Sequence, residues 1–186
     1  MDRDQALAIL SDYVKSESLM KHLLAVEAAM RAYARKFEED EEKWGIAGML
    51  HDFDWEICPS PEDHPTYGAG ILKERGVPEE IVRAVLSHGD HTGIKRETQM
   101  EKTLYAVDEL SGLIRAVTLV RPGRNLDDVQ PRSVKKKMKD KAFAREIRRE
   151  DIVKGAEEMG VDLDEHIAFV VQGLKPVAAE LDLTAS

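Results

Sequence analysis

Apolar residues in this chain recur at three- and four-residue steps almost from end to end, a period that only helices satisfy. Leu19, Leu23, Val26, Met30, Tyr33 and Phe37 mark one such stripe, with Ser18 placed to cap it. Trp44, Ala47 and Leu50 continue the pattern. Pro65 opens a helix that Gly76 closes, and Pro78 opens another that ends near Gly89, since helices favour proline first and glycine last. Met100 to Val120 reads as a long apolar helix stopped by Pro122. Ser133 is placed to cap the next segment, Gly160 closes the helix after it, and Leu163 to Leu181 forms the last. No stretch alternates with the period of a strand, and none is repeated or of low complexity. The expected fold class is all-α, a helical bundle without a substantial sheet. Phe53 to Asp63, with Pro59 and Pro61, is the longest expected loop ahead of the basic region.

Polar side chains interrupt these stripes at three places. His22 shares a face with Leu19 and Val26; His51 ends the apolar run GIAGML and is followed at once by Asp52; Asp108 lies within LYAVDELSGLI. An imidazole or carboxylate turned into a core without a partner is costly. One divalent ion would satisfy all of them together. The donors are imidazole nitrogen and carboxylate oxygen with no thiolate, a set that suits manganese, iron, cobalt, nickel or zinc. An ion held this way with open positions makes water nucleophilic near neutral pH and neutralises charge on an oxyanion. The single cysteine, Cys58, rules out an intramolecular disulfide and a thiolate zinc site, and nothing around it suggests activation of the thiol.

A length of 186 residues fits one domain over 1–186 with a real core. The N-terminus MDRDQALAIL lacks a basic start and a long apolar run, and no stretch reaches membrane-spanning length, so the expected location is cytoplasmic. A net charge of −9 disfavours general binding to nucleic acid or membranes, and the aromatic residues form no clustered stacking platform. The acidity is uneven. From Arg132 to Arg149 nine Lys/Arg face two acids, a net +7 in a chain of −9. Such a run is most simply a solvated helix face. Its other reading is a cationic strip that holds an anion, in which Lys135, Lys136 and Lys139 reach substrate phosphates while Val134, Met138 and Phe143 pack inward.

The order His22, His51-Asp52, Asp108, all on helices, resembles the HD superfamily of metal-dependent phosphohydrolases. That resemblance covers roughly residues 15–120, leaving 121–186 as a C-terminal helical extension. It implies an all-helical fold and hydrolysis of phosphomonoesters, phosphodiesters or nucleotide phosphates. His64-Pro65-x-x-Gly68 is similar to the HPxxG step of two-metal members, and His88 falls where such proteins carry a further ligand. The implied arrangement places His22, His51, Asp52 and Asp108 on one metal, with His64 and His88 joining a bridging Asp52 on a second. The chain departs from the cyclic-dinucleotide branch: the pair is followed by Phe53-Asp54-Trp55-Glu56, and no GYP tripeptide exists. Its His-rich order is also similar to di-iron HD hydrolases that cleave dinucleoside polyphosphates.

The expected function is therefore hydrolysis of a small phosphate ester, with nucleotides and dinucleotides among the candidates, using one or two divalent transition metals. Asp52 or Asp108 would orient water. His91 is a candidate general acid or supporting partner, against the reading of an exposed loop histidine. Asp54 and Glu56 have acid/base or supporting roles open to them, against a solvated acidic loop. His166 reads as a packing or surface residue. The alternative function is an HD-fold ligand sensor or protein-interaction module without turnover.

Overall fold

The computed structural model describes residues 1–185. Among them the regular structure is entirely helical: α1 (Arg3–Tyr13), α2 (Glu17–Phe37), α3 (Glu41–Leu50), α4 (Thr66–Glu74), α5 (Glu79–Ser87), α6 (Gln99–Leu119), α7 (Pro131–Met138), α8 (Arg149–Met159) and α9 (Leu163–Leu174), with three short 3₁₀ turns. The fold class is all-α. One apolar core runs from Ala6 in α1 to Leu183 near the C-terminus. None of the described helices is long and apolar enough to cross a membrane.

The helix ends show where local signals decide and where they mislead. α2 starts two residues before the expected position: Ser16, not Ser18, accepts the Leu19 N–H at 3.2 Å, and Ser18 falls inside the first turn. α6 opens with a reciprocal cap in which Thr98 accepts from the Glu101 N–H and the Glu101 carboxylate accepts from the Thr98 N–H. Ser133 likewise is not a cap in the expected sense. Pro131 occupies the first turn of α7, and the Ser133 hydroxyl accepts the Gln130 N–H at 3.1 Å. The last helix stops at Leu174 rather than Leu181 and passes into a 3₁₀ turn, Lys175–Val177. Pro176 has no N–H to continue the α-helical ladder.

Two helices form the centre of the molecule. α2 packs along α3, and α6 packs against α2 on one side and α8 on another. Leu23, Val26 and Met30 of α2 are fully buried, as are Leu104, Leu110 and Leu113 of α6. The approach of α3 to α2 is close enough that a Cβ on Gly48 would lie 3.0 Å from backbone atoms of Val26 and Glu27. That contact brings the C-terminal end of α3, where His51 sits, onto the face of α2 that carries His22.

Candidate metal centre

Three elements deliver four donor residues to one point. His22 comes from α2, His51 and Asp52 from the end of α3, and Asp108 from the middle of α6; one donor atom from each lies within 4.8 Å of the others. Asp52 also meets His64, from the turns that follow α3, and His88, at the end of α5, in a second group within the same span. The Nε2 atoms of His22 and His51 are 3.2 Å apart, and Asp108 Oδ1 lies 3.1 Å from the first and 3.3 Å from the second. Asp52 Oδ1 lies 3.1 Å from Nε2 of both His64 and His88, while its Oδ2 faces His22 at 3.7 Å. One carboxylate thus serves both groups.

The outer nitrogens of three of these rings are already committed. His51 Nδ1 donates to the Gly48 carbonyl at 2.8 Å, His88 Nδ1 to the Val85 carbonyl at 2.5 Å, and His64 Nδ1 to Asp54 Oδ1 at 2.7 Å. A ring that donates from Nδ1 presents a lone pair at Nε2 when neutral, so lone pairs converge on carboxylate oxygens. Such a gathering of acceptors calls for a cation. The donor set, all imidazole nitrogen and carboxylate oxygen, fits a divalent transition metal.

The electrostatics carry the same imprint. Burial pulls the His51 imidazole down, but the Asp52 and Asp108 carboxylates outweigh it and raise the group to about 9. Burial likewise opposes the charge on His64, and Asp52 and Asp54 overcome it, pushing the ring to about 10. Burial would raise the Asp108 carboxyl; the charge on His51 and hydrogen bonds from His22 and His51 hold it well below the ordinary carboxylate range. Asp52 is held low in the same manner by His51, His64 and His88. In the ion-free chain, protons take the place of a cation.

The remaining sequence candidates occupy distinct places. Asp54 is fully buried and accepts both the His64 ring and the Gly68 N–H, the latter at 2.8 Å, so it orients a donor and does not face the cavity. Gly68 is required there, because a Cβ would lie 2.6 Å from the Asp54 carboxyl carbon. The His91 ring bonds the His64 carbonyl and lines the cavity. Glu56 accepts the backbone N–H groups of Lys15 and Ser16 and so fastens the entry to α2. His166 is buried between Tyr33 and the Ala106 carbonyl, a packing role.

The basic segment divides. Lys135 pairs with Asp164 at 2.8 Å, and neither it nor Lys136 nor Lys139 lines the cavity over the donors. α7 ends at Met138, and the irregular stretch after it returns the chain to the cavity mouth, where Glu146, Ile147 and Arg148 form part of the wall. Arg149 holds this stretch from behind by donating to the carbonyls of Phe143, Ala144 and Ile147. The expected strip therefore reaches the cavity through Arg148 rather than through the lysines. Arg148 pairs with Asp151 at 3.1 Å. The cavity holds about 410 Å³ and also includes Trp55, Tyr105 and Glu109. Burial, then the neighbouring Asp108 charge, raises Glu109 to about 8, with the Arg148 backbone N–H pulling the other way. Glu109 was not among the expected site residues. Its only sequence signal is its place beside Asp108 in an apolar helix.

Residues 19–113 match the HD domain family. Ribonuclease Y of Lawsonia intracellularis is 30% identical over 113 residues, covering 60% of this chain and 20% of that protein. Ribonuclease Y of Oleidesulfovibrio alaskensis is 26% identical over 98 residues, 52% of this chain and 18% of that protein. The chain thus spans about a fifth of the length of these curated relatives. No solved structure gives a significant match. The family match covers the stretch that carries His22, His51-Asp52 and Asp108, and this chain belongs to the HD domain family.

Proposed function

We propose that this protein is a metal-dependent phosphohydrolase acting on a small phosphate ester. The observation that carries the reading is Asp52, whose one oxygen sits 3.1 Å from two imidazoles of one group while its other oxygen faces the second group. That is the placement expected of a carboxylate shared by two ions. His22, His51, Asp52 and Asp108 would hold one ion, and Asp52, His64 and His88 a second. Bound there, divalent metal supplies Lewis acidity to phosphoryl oxygens and lowers the pKa of water. The chain's own groups do the rest. Asp52 and Asp108 hold the hydrogens of water in the cavity, Asp54 keeps the His64 ring fixed, and Arg148 at the mouth offers a cation to phosphoryl oxygens. Trp55, half-exposed in the cavity wall and edge-on to His64 at 5.0 Å between ring centres, offers a flat apolar face to a nucleobase.

The relatives carry the name ribonuclease, and RNA is joined by phosphodiesters, which extends the substrate range to be tested. With an acidic chain, small nucleotides are favoured over long nucleic acid. The test is a panel of phosphomonoesters, phosphodiesters, dinucleoside polyphosphates and short RNA, given to protein reconstituted with each candidate metal, beside elemental analysis. Turnover of one class, lost in Asp52→Asn, is expected. Stoichiometric metal with no turnover anywhere in the panel would overturn the enzyme reading in favour of a ligand sensor.

A further inference from the structure

Beside the metal centre, α6 carries polar groups that the reaction above leaves unused. Ser111 and Arg115 follow Asp108 at helical steps of three and seven, so the three side chains lie along one side of α6. The Ser111 hydroxyl and the Arg115 Nε are both buried without a hydrogen-bond partner. Each such group costs free energy that folded proteins rarely leave uncompensated. Both residues line a cavity of about 440 Å³ that shares His22, Asp52 and Trp55 with the cavity over the donors. Gly112 lines both spaces, and a Cβ there would lie 3.6 Å from the Ile147 side chain and 3.8 Å from the His22 ring.

Nearby acids are otherwise engaged. Asp182 and Glu17, whose fields reach Arg115, both bond the Lys21 ammonium. Glu56, on the cavity wall, is committed to the Lys15 and Ser16 N–H groups. Glu146, the other wall carboxylate apart from Asp52, points outward with its side chain 90% exposed. A guanidinium keeps its charge in such a place and presents a planar fork that suits phosphate oxygens.

We propose that this compartment is a subsite for a second phosphate group of the substrate, held by Arg115 and Ser111 while the scissile phosphate lies at the metal centre. The inference rests on the phosphohydrolase reading and narrows its substrate class to compounds carrying two separated phosphates. The experiment measures binding by calorimetry to the metal-loaded protein. The probes are alkane-α,ω-bisphosphonates of three to six carbons and the matching alkylmonophosphonates, whose carbon–phosphorus bonds resist hydrolysis. A charge-assisted contact predicts a preference of about tenfold or more for the bisphosphonate at the best length. Arg115→Gln should abolish the preference while metal content and monophosphonate affinity stay unchanged. Arg115→Lys should retain part of it, and Ser111→Ala should reduce it less. No preference at any length, or an equal loss for both ligand types in Arg115→Gln, overturns the subsite. If Arg115→Gln does not fold, an unchanged ratio in both Arg115→Lys and Ser111→Ala overturns it instead. Preferential binding without hydrolysis of any ester would refute the enzyme and leave the subsite standing; monoester turnover with a flat binding ratio would do the reverse.

Discussion

The two donor groups that meet at Asp52 are built in different ways. His22 and Asp108 sit in the interiors of two 21-residue helices, and His51 ends a third that packs closely on the first. Their positions are fixed by the same apolar contacts that hold the core together. His64, by contrast, comes from the run of turns between α3 and α4; His88 follows α5 as His51 follows α3, each of these two rings donating Nδ1 to the carbonyl three residues earlier. The His64 ring is aimed by donating to Asp54, while His91 bonds only the His64 backbone carbonyl. A donor held by packing resists local change, whereas a donor held by one bond moves when that bond is lost. The first group should therefore bind an ion more firmly, and the second should be the easier to empty.

The largest expected effect removes the element common to both. Asp52→Ala should abolish metal content altogether while the far-ultraviolet circular dichroism remains that of a helical protein. His51→Ala should remove the first ion. Stoichiometric metal retained in both variants would refute the assignment. The double variant His64→Ala/His88→Ala should halve the metal bound at saturation, leaving one ion per chain; a ratio unchanged from the parent would leave only a mononuclear centre.

A smaller change sharpens the difference in construction. Asp54→Asn keeps the volume but replaces a charged acceptor of the His64 ring, and supporting bonds of this kind typically alter metal affinity by about 10- to 100-fold. The loss should fall on the second ion alone. Gly68→Ala should have the same selective effect, because its Cβ would displace the Asp54 carboxylate. If either variant weakened both ions equally, the distinction between packed and hydrogen-bonded donors would fail.

Acidity offers a third probe. His51 and His64 are raised to about 9 and about 10 by the surrounding carboxylates, above the ordinary value near 6.5. Groups raised by folding stabilise the ion-free chain fully below that ordinary value, and the stabilisation is lost as pH rises through the folded values. Ion-free protein should accordingly melt at lower temperature at pH 10 than at pH 8. Metal must displace these protons, so metal affinity should rise over the same interval with proton release measurable by calorimetry in buffers of different ionisation heat. A melting temperature of ion-free protein that is flat from pH 8 to 10 would contradict this.

How much of this was legible in the sequence follows from the range over which each feature is determined. The helices are set by a local period, and most appear within a few residues of their expected bounds. Their ends depend on which of several serines and prolines the backbone uses, so Ser16 replaces Ser18 and α9 stops before Pro176. His22, His51 and Asp108 were visible as polar residues on apolar stripes, and His64 and His88 through the resemblance to two-metal HD proteins. Asp54 was visible as an acid, but its buried bond to His64 depends on how the turns after α3 fold back. Glu109, Ser111 and Arg115 were not visible, because their surroundings are made by chain segments distant in sequence.

The basic segment shows the limit of reading charge without direction, and it supports the smallest predicted effect. Nine cations in one run suggest a strip that could hold phosphate, but a run does not reveal which side faces the site. In the structure Lys135 lies against Asp164 on the outside of the bundle, and exposed pairs of this kind contribute about 0.2–1 kcal/mol. Replacing Lys135, Lys136 and Lys139 together by glutamine should therefore leave phosphoester turnover at fixed metal occupancy unchanged within about twofold, with a slight loss of thermal stability. Arg148→Gln is the matched comparison, since Arg148 lines the cavity over the donors. It should raise KM by several-fold, tempered by the pairing of its guanidinium with Asp151. Measured side by side at low and high salt, the two variants separate a local contact from a general field. A triple lysine variant that lost activity in step with ionic strength, while Arg148→Gln did not, would mean that the whole strip steers the substrate and that no one residue of it binds.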